Sequence, residues 1–402
     1  MVSRFSHKIR FMKITAVREI SVPMEGNVAN ALVNFSEHDI SLVALVSDVI
    51  RDGKPVIGYA FDSIGRYAQG GILRDRMVPR LLKAGPATLL DEDGRRFDPA
   101  KVLSTVMRNE KPGGHGDRAA AAGALELAVW DLNAKLEDEP AHVSISRHYG
   151  RQGKTGGVDV YAAGGYYYPG KGDGTARLRD ELLCYQDMGF SAYKMKIGGA
   201  ELSTDLKRIE AALTVAGDGS RLSVDVNGRY DLEAALACAR AIEPYRLRWY
   251  EEIGDPLDYD LNRQLTEAYS FPVATGENLF SVPDVKNLAL FGGMRTGKDI
   301  FQMDAGLSYG LGEYARMLDL LESRGFSRAQ AYPHGGHLIN LHIAVGLELG
   351  GCEAYPGVFQ PFGGYPEGCG LGEGLVRPTD APGFGLEEKI NLRPWLNQLA
   401  QG

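Results

Sequence analysis

Cysteine is scarce in this chain, and the usual marks of a compartment or a polymer partner are missing. Four cysteines (Cys184, Cys238, Cys352, Cys369) are scattered over 402 residues. Their spacing fits neither a zinc motif nor a disulfide framework, which suits a reducing cytoplasm. No basic tract occurs. The net charge is −8, with acidic and basic residues mixed along the chain, so nucleic acid is not expected as a partner. No apolar run approaches the length of a membrane span. The first residues, MVSRFSHKIRF, are basic but lack an apolar core and a small-residue cleavage site, and so do not read as a secretory signal. No sequence repeat is present beyond an alternation of strand-like and helix-like segments.

What is present is the composition of a soluble globular protein, 44% hydrophobic and 24% charged. The length exceeds an ordinary single domain, so two are expected. Residues 1–11 precede the first strand-like segment and are as open to disorder as to order. KITAVREISV, SLVALVSDVI and GKPVIGYAF are β-branched runs with a turn at Asp52-Gly53, and they read as strands. A helical stretch follows near 72–85. The segment KPGGHGDRAAAAGALELAVWDLNAKL reads as a loop and a long helix with Asp117 as N-cap. Residues 12–157 are therefore an α+β capping domain.

From Val158 short apolar strands alternate with helices, the pattern of βαβ units and a parallel sheet. Strand starts fall near 158, 192, 222, 247, 272, 300 and 330, and one near 350 would close a barrel. Residues 158–360 are thus expected to form a TIM-type (β/α) barrel. Residues 361–402, rich in Gly and Pro before the helical LRPWLNQLA, could fold back on the cap.

Six polar clusters sit at nearly even spacing. From Lys196 in AYKMKIGG the steps to Asp225, Glu251, Glu277, Asp304 and His334 are 29, 26, 26, 27 and 30 residues. Each step is one strand, one helix and two loops, and such barrels carry their chemistry at the C-terminal strand ends. Three carboxylates converging in a barrel would repel one another, and burying an unpaired charge is costly. A divalent cation on Asp225, Glu251 and Glu277 resolves this, and an all-oxygen ligand set favours Mg²⁺ over Mn²⁺ or Ca²⁺. The alternative, that each acid caps a helix or makes a surface ion pair, does not explain three at matching strand ends. Lys194 and Lys196 are two apart on a strand and point the same way. Two partly desolvated like charges should depress each other's pKa, which suits a general base. Asp304 beside His334 would fix the imidazole tautomer and raise its pKa, giving a proton donor or acceptor. His337 and His342 read as hydrogen-bonded core residues or parts of the following helix.

KMKIGG, DVNGR, EEIGDP, TGEN, QMDAGLSYG and PHGGH, in this order, resemble the enolase superfamily in its mandelate racemase-like branch. That superfamily uses a Lys or His base with Mg²⁺. NEKPGGHG and YAAGGYYYPGKG further resemble the bacterial D-tartrate dehydratases. The resemblance implies a modified (β/α)7β barrel under an α+β cap built from the N-terminal part and the C-terminal tail. It implies Mg²⁺ on Asp225, Glu251 and Glu277. Lys196 would abstract the α-proton, with Lys194 as its electrostatic neighbour. His334, paired with Asp304, would assist departure of the β-hydroxyl. Lys111 would bind the distal carboxylate or orient the leaving group. Asn227 and Glu252 would support the site. The cap loops, near Pro23–Asn30 and Phe61–Gln69, would set specificity, with Asn30 among the substrate contacts. Tyr167, in Tyr166–Tyr168, either lines the pocket or packs in an aromatic loop. The expected substrate is a small hydroxy diacid, D-tartrate first, dehydrated to oxaloacetate. A racemase or epimerase, or a dehydratase of another sugar acid, is the alternative. A homo-oligomer is implied.

Overall fold

The computed structural model describes residues 11–168, 174–372 and 374–401. The question of order in residues 1–10, and the PGKG stretch, lie outside the described residues. The cap begins with three antiparallel strands, β1 (Ile14–Pro23), β2 (Asp39–Arg51) and β3 (Lys54–Phe61), in the order β1-β2-β3. Their β-branched runs give the alternating faces such a sheet needs. One face lies on the helix Asp117–Leu136. Ala119 to Lys135 of that helix are all buried, because it is wedged between sheet and barrel. Its small residues permit close approach: a methyl added at Gly58 would strike the Ala128 carbonyl, and one at Gly123 the Ser308 carbonyl. Asp117 is not the N-cap. Gly116 holds that place with φ +65°, and Asp117 enters the first turn, where its charge still favours the helix N-terminus.

Six parallel strands follow, in the order β4 (Val158–Gly164), β5 (Tyr193–Lys196), β6 (Leu222–Asp225), β7 (Tyr250–Glu251), β8 (Val273–Thr275) and β9 (Ile300–Phe301). The expected strand near 330 is reduced to one bridge, Ala331 with Phe301. The backbone there still runs parallel: Tyr332 N donates to Phe301 O (2.9 Å) and Glu353 N to Pro333 O (3.3 Å). Pro333 has no N–H to extend a ladder, and the glycines behind it turn the chain away. β10 (Gly351–Ala354) then pairs with β4 and closes the ring. The architecture is a TIM-type barrel with a capping domain. Intervening helices start at sequence-encoded caps; Asp231 accepts from Ala234 N and Asp258 from Leu261 N.

The tail forms a short hairpin, β11 (Gly370–Gly372) and β12 (Leu375–Arg377), with β12 antiparallel on β4. The final helix, Arg393–Gln401, returns to the cap, where Arg18 of β1 donates to its Ala400 carbonyl. Among the described residues no helix is long and apolar enough to cross a membrane.

Candidate active site

Register builds the site. Lys196 of β5 pairs with Asp225 of β6, and Asp225 pairs with Glu251 of β7. In a parallel sheet, residues in register share a face, so these three form one inward layer. Glu277 follows β8 by two residues, and Asp304 follows β9 by three. Single oxygens of Asp225, Glu251 and Glu277 lie within 4.8 Å of one another. Asp225 and Glu251 are fully buried.

Each lysine meets a carboxylate. Lys196 Nζ donates to Asp225 Oδ2 at 2.5 Å. Lys194 Nζ lies 2.5 Å from Glu251 Oε1, 2.6 Å from Glu353 Oε1 and 3.5 Å from Asp225 Oδ2. The expectation that the lysines depress each other's pKa is therefore reversed. Burial alone would lower both, but the facing carboxylates, Glu251 first for Lys194 and Asp225 first for Lys196, outweigh it and hold both above the ordinary lysine value. Asp225 shows the other side of this: burial would raise it, but Lys196 and Lys194 hold it down at about 2. Burial, then Asp225, push Glu251 up to about 8. Yet both of its oxygens face donors, Lys194 Nζ and Trp249 Nε1 (2.7 Å). An ionised carboxylate suits both donors best, one of them an ammonium, and on that ground we read Glu251 as charged.

The opposite wall carries His334. Its Nδ1 donates to Asp304 Oδ2 (3.2 Å), while Nε2 lies 3.2 Å from Tyr355 Oη and 3.6 Å from Glu277 Oε2. Burial alone would lower its pKa; Glu277, the Asp304 hydrogen bond and Glu353 override this and raise it to about 9. Asp304 is itself anchored, accepting from Gly306 N (2.8 Å) and Asn340 Nδ2 (3.0 Å). His337 is a core group. It N-caps the helix Leu338–Gly346 and bonds Ser63 Oγ at 2.9 Å, and burial, the leading cause, lowers it to about 4.

The remaining sequence candidates divide. Asn227 clamps Asp225: its backbone N donates to Oδ1 (2.8 Å) and its Nδ2 to Oδ2 (3.2 Å). Tyr167 is turned away from the barrel mouth. Its hydroxyl donates to Asp205 (2.8 Å) and accepts from Gly199 N (2.9 Å). Tyr166 is the member of that run near the chemistry, with Lys196 Nζ 5.2 Å from its ring centroid. Asn30 spends its side-chain oxygen on its own loop, accepting from Leu32 N and Val33 N. Lys111 is exposed, and its backbone carbonyl accepts from Arg118 Nη1. Its side chain is not brought to the triad.

Sequence reasoning missed four residues. Glu353 lies next to the end of β10, fully buried, with Lys194 on one oxygen and Gly335 N (3.0 Å) on the other. It lies 19 residues after His334, which breaks the spacing that picked out the rest. Being the lone acid of the closing strand GCEA was the usable signal. Tyr355 carries no motif, and Ser63 and Arg66, though inside the Phe61–Gln69 loop expected to set specificity, are singled out only by contact.

The residues fit a hard cation. The cluster offers three carboxylates and no sulfur, and Glu277 Oε2 is buried without a hydrogen-bond partner. A buried lone acceptor beside two other acids is the donor set such an ion completes.

Comparison with known proteins agrees. Residues 177–389 match the family described as enolase C-terminal domain-like. The arabinonate dehydratase of Saccharolobus solfataricus is 29% identical over 79% of this chain and 80% of its own. The L-talarate/galactarate dehydratase of Salmonella typhimurium is 25% identical over 93% of this chain and 88% of its own. The crystal structure of a racemase from Streptomyces coelicolor with bound magnesium superposes with a TM-score of 0.75 at 23% identity, covering 96% of this chain and 99% of that one. The chain belongs to the enolase superfamily, in its mandelate racemase and muconate-lactonising branch.

Proposed function

We propose that this protein is a Mg²⁺-dependent dehydratase of a hydroxy dicarboxylate, with D-tartrate the first substrate to test and oxaloacetate and water its products. The carrying observation is that an amine and an imidazole approach one acidic triad from different walls, with Asp304 supporting the proton on the imidazole. A dication on Asp225, Glu251 and Glu277 would supply Lewis acidity toward a substrate carboxylate and take up the charge that otherwise keeps Lys196 protonated.

The chain's own groups then divide the work. Lys196, as free amine, takes the α-proton. The electron pair moves onto the carboxylate oxygens, which the Lys194 ammonium faces and stabilises. His334 gives its proton to the β-hydroxyl, so that the C–O bond breaks to water rather than to hydroxide. The enol left behind tautomerises to the keto acid. Asp304 holds His334 in the tautomer that does this, and Asn227 keeps Asp225 aimed at the triad. Lys111 reaches the substrate only if its loop folds inward.

The relatives named for arabinonate and for talarate/galactarate support dehydration of a sugar acid, and extend the test beyond D-tartrate. The second reading, racemisation or epimerisation, uses the same Lys196 and His334 on opposite faces of one carbon. One experiment separates them. Hydroxy diacids and sugar acids are incubated with Mg²⁺ in D₂O, and keto acid is trapped with semicarbazide. A keto product supports the dehydratase. Deuterium at the α-carbon with no keto acid moves the reading to an isomerase, and neither signal from any acid removes both.

A further inference from the structure

We propose that Arg66 reads a second carboxylate on the substrate and so makes this site selective for diacids over monoacids. The inference rests on the dehydratase reading above and assigns its far end to a residue other than Lys111.

Arg66 belongs to the loop after β3 that crosses the barrel mouth. Two neighbours place that loop over the reacting groups. Ser63 N donates to Gly306 O (3.3 Å), and a methyl added at Gly65 would lie 3.8 Å from His334 Cε1. The Arg66 side chain then runs to the triad's edge. Its Nη2 donates to Asn278 Oδ1 (2.9 Å), one residue beyond Glu277, and its guanidinium carbon lies 5.2 Å from the Phe280 ring centroid.

Asn278 cannot flip. Its Nδ2 donates to Glu252 Oε1 (2.8 Å), so its oxygen must face Arg66. One arm of the guanidinium is thereby fixed while the rest is left to something else. Arg66 Nε is buried with no hydrogen-bond partner, and Arg66 forms no ion pair among the described residues. A buried N–H without an acceptor costs free energy that proteins rarely leave uncompensated. A planar fork with one arm pinned and a donor idle is built to take a carboxylate. The triad holds one end of a short acid, and Arg66 stands beside it for the other.

A purely structural role, pinning the loop to Asn278 and Phe280, is the competing account, and the two differ in what they predict. Succinate and butyrate have equal carbon number, do not react, and differ only at the far end. Titration calorimetry of each acid in Mg²⁺ should show succinate binding at least tenfold more tightly than butyrate. In Arg66→Gln the ratio of the two Kd values should fall to within about threefold of unity, and in Arg66→Lys to an intermediate value, because an ammonium lacks the fork. If Arg66→Gln does not fold, the drop in Arg66→Lys decides. An unchanged ratio in the Arg66 variants, no preference in the unmutated protein, or loss of the preference in Lys111→Gln instead, overturns the assignment. Binding of neither acid with Mg²⁺ present overturns the dehydratase reading, and this inference with it.

Discussion

The Lys196 amine meets Asp225 before any substrate does, and that contact explains how a buried lysine is tolerated here. It also sets what removing the amine should do. Lys196→Ala takes away the base but no proposed ligand of the cation. Exchange of the substrate α-hydrogen in D₂O should fall by about 10² to 10⁴, the usual contribution of a positioned base, while Mg²⁺ still binds. Exchange near the unmutated rate would refute the assignment. His334→Asn should separate the two halves of the reaction. Its partner Asp304 stays anchored by Gly306 and Asn340, so the wall should persist. Keto acid formation should be lost while Lys196-dependent exchange remains measurable by NMR; loss of both together would mean the imidazole is needed before the α-proton leaves. At this scale the sequence was readable where chemistry restricts residue type. Two lysines, three acids and an Asp–His pair stand out because barrels seldom bury such groups idly. The orientations of Asn30 and Tyr167 were not legible, because nothing in their identity says where a side chain turns. One closes its own loop and the other bonds Asp205.

Among the elements, strand order and spacing were legible because each βα unit has nearly constant length. The failures came where the unit shortens. The strand near 330 is a single bridge ahead of a proline, and the short step to β10 hid Glu353. The cap was legible as strands and a long helix, but not the way that helix holds the barrel. Glu126 crosses from the cap helix to the N-terminus of the helix Leu311–Ser323, accepting from Leu311 N (2.8 Å), Gly312 N (3.1 Å) and its own Trp130 Nε1 (2.9 Å). Burial pushes its pKa up to about 7 in spite of those donors. A folded-state value above the unfolded one means the native protein binds the extra proton. Its contribution to stability is thus full below about pH 4.5 and is lost as pH rises to about 7. Between those two values the loss is worth roughly 3 kcal/mol. Urea unfolding at steps from pH 4.5 to 8 should show Glu126→Gln lacking that decline relative to the unmutated protein. Parallel curves for the two proteins would show that Glu126 stays ionised throughout.

Across the whole molecule, the barrel interior gathers, among the described residues, six buried or half-buried carboxyl groups, Asp225, Glu251, Glu252, Glu277, Asp304 and Glu353, against two ammonium groups and one imidazole. Burial, then Glu277 and Asp225, drive Glu252 well above its ordinary value, as expected where negative charge is in excess. Core packing elsewhere must hold this repulsion together, so any ion that relieves it should stabilise the entire fold and not only the site. Because unfolding scatters the ligands, binding favours the native state by RT ln(1 + [L]/Kd), about 2.7 kcal/mol at a hundredfold excess over Kd. The melting temperature should therefore climb with Mg²⁺ by a few degrees and fall back with EDTA. Glu251→Gln and Glu277→Gln should each shrink that rise, because each removes one carboxylate from the ligand set. Without metal, Glu251→Gln should lose stability with its Lys194 ion pair, whereas Glu277→Gln trades relief from the neighbouring acids against the longer contact of its Oε2 with His334 (3.6 Å) and should lose less. A variant that gains less from adding Mg²⁺ would show that the ion acts at this triad. If instead Mg²⁺ shifts the variants as far as the unmutated protein, the triad is not where the cation acts, and the distribution of charge in this barrel needs another explanation.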